Sequence, residues 1–405
     1  MTNRLREAVE KGEFAVTVEL IPGRGAAEPA QVKEFEEMAQ IYATGRVHAI
    51  SITDNPGGNP ALLADALAHE FFDSGITPLV HTTCKDRNRN QIQAQMYALQ
   101  RQGVENLLCM SGDYVVSGWR GRSRPVFDLD PVQLLQLANN MNQGLVQKTP
   151  RGEVAEQPAS FFPGAVVNPF KYTEAEVVTQ YFKLEKKIAA GARFIIIQLG
   201  YDARKMDELL VYLKERHYDV PVIANIFLLN AGAAKLMRKG AIAGCHISDE
   251  LLRTLEQEGK SEDKGKSARL LRAAKMIAIA RGMGYAGIHI GGFGLTAAMV
   301  ESLLDQAETL QSDWRLWAQE IQYAQPGGFY LYEPTRGESG EANGFNTNVL
   351  APRNERKRGK KIMRGYGISR FFHYWVLTKG KRFGKVLAGS MDRRERKRGM
   401  NRHHR

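Results

Sequence analysis

Eight short runs of β-branched and other apolar residues recur between residues 14 and 293, each closing on polar or turn-forming residues. They cover 14–21 (FAVTVELI), 49–54 (AISITD), 77–84 (TPLVHTTC), 106–112 (NLLCMSG), 163–168 (PGAVVN), 192–200 (ARFIIIQLG), 221–227 (PVIANIF) and 285–293 (YAGIHIGGF). Between them the apolar positions move to helical spacing, for instance over 32–42, 59–73, 90–101 and 174–190. Asp130 before Pro131 reads as an N-cap followed by proline at the first helical position. A strand and a helix alternating eight times predict an α/β fold, a (β/α)8 TIM barrel over residues 1–311. A doubly wound sheet would want a GxGxxG turn after its first strand, whereas this one runs into Pro22-Gly23-Arg24-Gly25.

The pattern changes after the barrel. Residues 312–325 carry Trp314 and Trp317 at helical spacing, and 329–333 (FYLYE) read as a short strand. Residues 334–361, rich in Gly, Asn and Glu and then in Arg and Lys, read as a mobile linker. The chain thus divides into a barrel (1–311), a connecting region (312–350) and a basic, aromatic C-terminal extension (351–405). In the extension Phe371, Phe372, Tyr374 and Trp375 are interleaved with Lys379, Lys381, Arg382 and Lys385.

Charge sharpens this division. The chain carries 56 Lys and Arg against 44 Asp and Glu, a net +12. Residues 351–405 hold 19 of the basic and 3 of the acidic side chains, which leaves 37 basic and 41 acidic in residues 1–350. The positive charge therefore belongs to the extension, and the barrel is mildly acidic. Such an extension suits contact with RNA, an anionic membrane surface or an acidic protein partner, or a solvated tail whose aromatics pack back on the barrel. No apolar run of roughly 18 residues predicts a transmembrane helix, and the N-terminus MTNRLREAVEKGEF lacks an apolar signal core. Cys84, Cys109 and Cys245 are far apart with no CxxC, which argues against a disulfide framework or structural zinc and for a reducing cytoplasm.

In this architecture polar side chains at the carboxyl ends of strands are the site candidates. They are Glu19, Thr53 with Asp54, His81 with Thr82, Asp113, Asn168, Gln198 and Asn225, with no cluster at metal-ligand spacing, no GxSxG elbow and no P-loop. Such a set suits proton transfer and recognition of a flat polar heterocycle, with an organic cofactor carrying the chemistry. Two readings fit Glu19 among its apolar neighbours: a structural ion pair with Arg or Lys, or a desolvated carboxyl with its pKa raised toward neutrality for general-acid work. Asp113 is either a turn cap or a site residue. His81 and Gln198 have equally structural readings, and Cys84 and Cys109 read as free buried thiols.

In order and placement these strand ends resemble the methylenetetrahydrofolate reductase family, flavin-dependent (β/α)8 barrels of one-carbon metabolism that supply methionine biosynthesis. The residues are Val18-Glu19-Leu20-Ile21-Pro22, Ser51-Ile52-Thr53, His81-Thr82-Thr83-Cys84, Gly112-Asp113, Lys186-Lys187, Ala190-Gly191-Ala192 and Ile197-Gln198, within 14–295. The resemblance implies reduction of 5,10-methylenetetrahydrofolate to 5-methyltetrahydrofolate through FAD, with NAD(P)H as electron donor. It implies Glu19 as the general acid, Asp113 at the pterin and near the flavin, and Gln198 as a folate contact. Thr53, His81, Gly112 and Lys187 match positions that hold FAD, with Asn168 and Phe127 counted alongside them. Ser111-Gly112-Asp113 stands where the family commonly has Arg-Gly-Asp, and Asp54-Asn55-Pro56-Gly57-Gly58 where an aromatic follows the second strand. These departures keep a second function open: a folate-binding one-carbon or methyl-transfer subunit that depends on a protein partner for electrons or methyl transfer. A homo-oligomer is likewise left open.

Overall fold

The computed structural model describes residues 2–25, 29–240 and 244–332. The linker read over 334–361 and the basic extension over 351–405 lie outside the described residues. The chain opens with α1 (Arg4–Lys11), β1 (Ala15–Leu20), α2 (Pro29–Ala43), β2 (Ala49–Ile52), α3 (Ala64–Asp73), β3 (Pro78–Thr83), α4 (Arg89–Gln102) and β4 (Asn106–Met110). Next come α5 (Pro131–Gln143), β5 (Val146–Thr149), β6 (Gly152–Ala155), β7 (Phe162–Val167), α6 (Glu174–Ala189), β8 (Phe194–Ile197), α7 (Ala203–Glu215) and β9 (Val222–Phe227). It continues through α8 (Ala231–Arg238), α9 (Asp249–Glu258), α10 (Lys266–Met283), β10 (Gly287–Gly291), α11 (Ala297–Thr309) and α12 (Trp314–Glu320).

All eight sequence-derived strands are present, and they close in the order β1-β2-β3-β4-β7-β8-β9-β10. Every pairing in the ring is parallel, with β1 meeting β10 at Thr17↔His289 and β2 at Glu19↔Ser51. This is the predicted (β/α)8 TIM barrel. Its strands are buried on both faces, which is why they read as near-continuous apolar runs rather than alternating ones. Asp130 and Gln133 form a reciprocal capping box at the start of α5, as the Asp-Pro pair predicted.

Side chains alternate across each strand, so residues two apart share a face. Val16, Val18 and Leu20 face the helices and join the large outer core. Ala15, Ala49, Leu79, Leu108, Phe162 and Phe194 fill the barrel's amino end together with Leu5, Ala8 and Val9 of α1. Phe194 fits there because its neighbour is Gly164, where a Cβ would lie 2.3 Å from the ring. The charged N-terminus is therefore a plug. Asn3 caps α1 by accepting from the Arg6 amide at 3.1 Å, and Gly12 ends it in the left-handed region at φ 71°. Leu5 is fully buried, so Leu5→Ala should cost about 2–5 kcal/mol in urea unfolding, with the cavity lining at the opposite end left in place.

Other parts of the chain also depart from the sequence reading. The β5–β6 hairpin is exposed throughout and has no apolar face to reveal it. The short helix α9, which lies between α8 and α10 along the chain, buries Leu251 and Leu255. Of residues 329–333, read as a strand, 329–332 are described, and they form no ladder with other described residues. Instead the Glu208 carboxylate on α7 accepts the Leu331 and Tyr332 amides, Lys205 reaches the Phe329 carbonyl, and the Tyr330 hydroxyl donates to Asp202 at 2.5 Å. Side chains of one helix thus satisfy the backbone groups that a neighbouring strand would have paired. The three cysteines are free and buried, and burial pushes the Cys84 and Cys245 thiols up to about 12. No helix among the described residues is long and apolar enough to cross a membrane.

Candidate active site

The inward rows end at the barrel's carboxyl mouth, in a cavity of about 440 Å³, within the usual range for small-molecule sites. Its floor is built from β1, β3 and β10. Thr17 and Glu19 are successive inward residues of β1, and the Thr17↔His289 register sets the His289 imidazole beside both. His289 Nδ1 lies 2.8 Å from Thr17 Oγ1, and its Nε2 lies 3.4 Å from Glu19 Oε2. The Thr17 hydroxyl also lies 3.5 Å from the Ile288 carbonyl. Nδ1 is thus engaged by Thr17, and Nε2 is the ring nitrogen turned toward Glu19. His81 Nε2 is 2.8 Å from Ser51 Oγ, and the two imidazole centroids are 6.4 Å apart.

The electrostatics differ from both sequence readings of Glu19. Among the described residues its ion-pair partner is His289, neither Arg nor Lys. Burial by itself would raise the carboxyl's pKa, but the hydrogen bond and charge of His289, with the charge of His81, outweigh it and leave it lowered. The expectation of a pKa raised toward neutrality is thus corrected: desolvation is present, and the imidazoles overcome it. Burial pushes His81 down to about 4 against the attraction of Glu19, so this ring is neutral near pH 7.

The walls combine hydroxyl, amides and ammonium groups. Thr53 lines the cavity with its Oγ1 buried and unpartnered among the described residues. Gln198 and Asn225 face the same space from β8's end and from β9, the Gln198 carbonyl oxygen accepting the Leu199 amide at 2.9 Å. Asn168 also lines it, but its amide is engaged in the fold: Nδ2 donates to the Gly244 carbonyl at 2.8 Å and Oδ1 accepts from Phe170 at 3.0 Å. Gln180, Lys183 and Lys187 present one face of α6 to the cavity. Lys187 Nζ donates to the Val166 carbonyl at 2.6 Å, and burial, then neighbouring Lys183, bring its pKa down to about 8.

The rim is two loops knitted together. Gly112 has φ 82°, and a Cβ there would sit 2.6 Å from the Lys85 side chain, so the backbone can cross that lysine only as glycine. Asp113 follows at the cavity edge, where its Oδ2 accepts the Gly57 amide at 2.9 Å. It is thus a cap for the 55–58 turn and a wall of the cavity together. Asp54, a strand-end candidate, is held by two Arg87 bonds of 2.6 and 3.0 Å and by the Thr83 hydroxyl at 2.7 Å. Phe127 stands apart from the cavity lining, bridging the backbones of Lys85 and Arg87 with its ring edge-on to Tyr114.

The structure therefore brings Glu19, Thr53, His81, Gly112, Asp113, Asn168, Gln198 and Lys187 to one cavity and leaves Phe127 outside it. Sequence reasoning missed His289 and Lys183. His289 was legible in retrospect, since 287, 289 and 291 share the inward face of a strand. It also missed a grouping: one ligand atom each from Glu19, His81 and His289 lie within 4.8 Å of one another. Three distant strands converge here, so the absence of metal-ligand spacing along the chain did not foretell it.

The fold and site define a TIM-barrel protein with a carboxylate–imidazole pair at the floor of a polar mouth. Residues 4–306, about three quarters of the chain, match the methylenetetrahydrofolate reductase family, and the chain belongs to it. Among solved structures, an uncharacterized protein from Clostridium thermocellum that binds two copies of 5-methyl-5,6,7,8-tetrahydrofolic acid shares the fold. Its TM-score is 0.53 at 13% identity, covering 76% of this chain and 99% of that one. A 2,3-dimethylmalate lyase of the PEP mutase/isocitrate lyase superfamily reaches 0.41 at 12% identity, over 77% of this chain and 88% of its own. A likeness that distant carries no argument about function.

Proposed function

We propose that the protein reduces 5,10-methylenetetrahydrofolate to 5-methyltetrahydrofolate, using FAD and NAD(P)H. The observation that carries this reading is Glu19: an inward carboxylate at the cavity floor, hydrogen-bonded to an imidazole and faced by neutral amides. The family match and a same-fold barrel that binds 5-methyltetrahydrofolate support it.

The lining suits a flavin in kind, since Thr53 offers a buried hydroxyl without a partner and Lys183 and Lys187 offer cations at one end. Thr53, His81, Gly112 and Lys187 would hold the cofactor, which when bound supplies the hydride. Gln198 and the free edge of Asp113 bind the pterin through its amide and amino groups. A proton held between Glu19 Oε2 and His289 Nε2 is delivered to the substrate's ring nitrogen, opening the five-membered ring for reduction. Substrate entering the mouth expels water, which strengthens the burial effect on Glu19 and favours its protonated form as chemistry begins. Thr17 and Ser51 orient the two imidazoles.

An absorption spectrum and turnover of the full chain test the reading. Bound flavin, and donor oxidation only when methylenetetrahydrofolate is supplied, are the expected results. Tight folate binding without flavin, even after FAD is added, would favour the partner-dependent one-carbon or methyl-transfer subunit, for which Ser111 in place of a cation is the specific observation. Flavin retention should also fall as pH rises through about 8, where Lys187 loses the proton that attracts a diphosphate. Lys187→Met should flatten that dependence and weaken flavin binding roughly 10-fold or more at pH 7.

A further inference from the structure

We propose that Glu19, His81 and His289 form a binding site for a divalent transition-metal ion of the Zn2+ class at the floor of the barrel mouth. Two imidazoles and one carboxylate, from β3, β10 and β1, place their ligand atoms within 4.8 Å of one another. Both histidines are buried, and among the described residues Glu19 has no Lys or Arg counter-ion.

The separation of His289 Nε2 and Glu19 Oε2, 3.4 Å, is long for a charge-assisted hydrogen bond, which runs about 2.7–2.9 Å. It equals the edge of a tetrahedron whose corners lie about 2.1 Å from a central ion, since the edge is about 1.6 times that radius. The Thr17 hydroxyl engages His289 Nδ1 at 2.8 Å and leaves Nε2 as the ring nitrogen turned toward this centre. Ser51 holds His81 at 2.8 Å in the same supporting role. His81, with a ring nitrogen within 4.8 Å of the other two ligand atoms, completes the set by a side-chain movement that brings it to bonding distance. The fourth position faces the cavity and stays open to water or a ligand.

A metal ion there takes the lone pairs that otherwise hold the proton between Glu19 and His289. The metal-loaded form therefore binds at the cavity floor but lacks its proton donor, so the ion acts as an inhibitor of folate reduction. Binding of the ion itself does not depend on that activity. The test is a Co2+ titration of chelator-stripped full-length protein, read by visible absorption and by calorimetry, with Zn2+ as competitor. One Co2+ per chain with tetrahedral bands is expected, weakened at least about 100-fold in His289→Asn, His81→Asn and Glu19→Gln. Thr17→Val, which leaves all three ligands in place, should weaken it about 10–100-fold. If a histidine variant fails to fold, Thr17→Val and the isosteric Glu19→Gln decide the outcome. Absence of binding at millimolar Co2+, or a tetrahedral signal that survives the substitutions, overturns the proposal.

Discussion

Glu19→Gln should lower the rate of methylenetetrahydrofolate reduction about 10²–10⁴-fold, the range a positioned general acid contributes. Flavin binding and flavin reduction by the donor should stay near normal. The amide keeps the size of the carboxyl and can still accept from His289, so the floor keeps its shape. What it loses is the capacity to pass a proton from His289 Nε2, 3.4 Å away, to the substrate. Single-turnover kinetics separate the two half-reactions in one preparation: the donor half-reaction does not need this proton, and the folate half-reaction does. If both fall together, Glu19 positions the cofactor and the proton route lies elsewhere. Normal folate turnover would remove the acid role altogether. The lowered pKa in the open cavity makes the substrate's expulsion of water part of the mechanism, because an acid with its charge stabilised by imidazoles must be tipped back toward its neutral form.

The barrel was legible because its strands are buried on both faces and closed by turn residues, leaving eight apolar runs that periodicity finds directly. Most of the mouth was legible for a related reason: in a parallel barrel the polar residue ending a strand has few places to be. The environment of each residue was not legible. Glu19 sits beside an imidazole because β1 and β10 are neighbours in the closed ring, 270 residues apart in sequence. His289 lies in mid-strand between Ile288 and Ile290, where a strand-end search does not look. Asn168 stood at the right place, but its amide is engaged with Gly244 and Phe170, which only the tertiary path of the following loops determines. Phe127 lies on a loop whose course no local pattern fixes.

Asp54 shows the same gap and leads to the largest expected loss of stability. From the sequence it is one more polar residue at a strand end. In the structure its side chain is 1% exposed, and Arg87, at 12%, meets it with two hydrogen bonds. Burial alone would lower the Arg87 pKa, but the hydrogen bonds and charge of Asp54 raise it, so the guanidinium is held charged. Removing only the cation, as in Arg87→Met, strands a carboxylate whose remaining donor among the described residues is the Thr83 hydroxyl, and should cost about 3–5 kcal/mol in urea unfolding. Asp54→Asn combined with Arg87→Met should recover most of that loss, because no buried charge is then left unpaired. The single variant should also weaken ligand binding at the mouth. Asp54 leads into the 55–58 turn, whose Gly57 amide holds Asp113 and whose Asn55 carbonyl accepts from Lys85 at 3.1 Å. If Arg87→Met is as stable as the parent, the pair is solvated in solution and the rim needs another anchor. If stability falls but binding at the mouth is unchanged, the turn holds Asp113 without help from the ion pair beneath it.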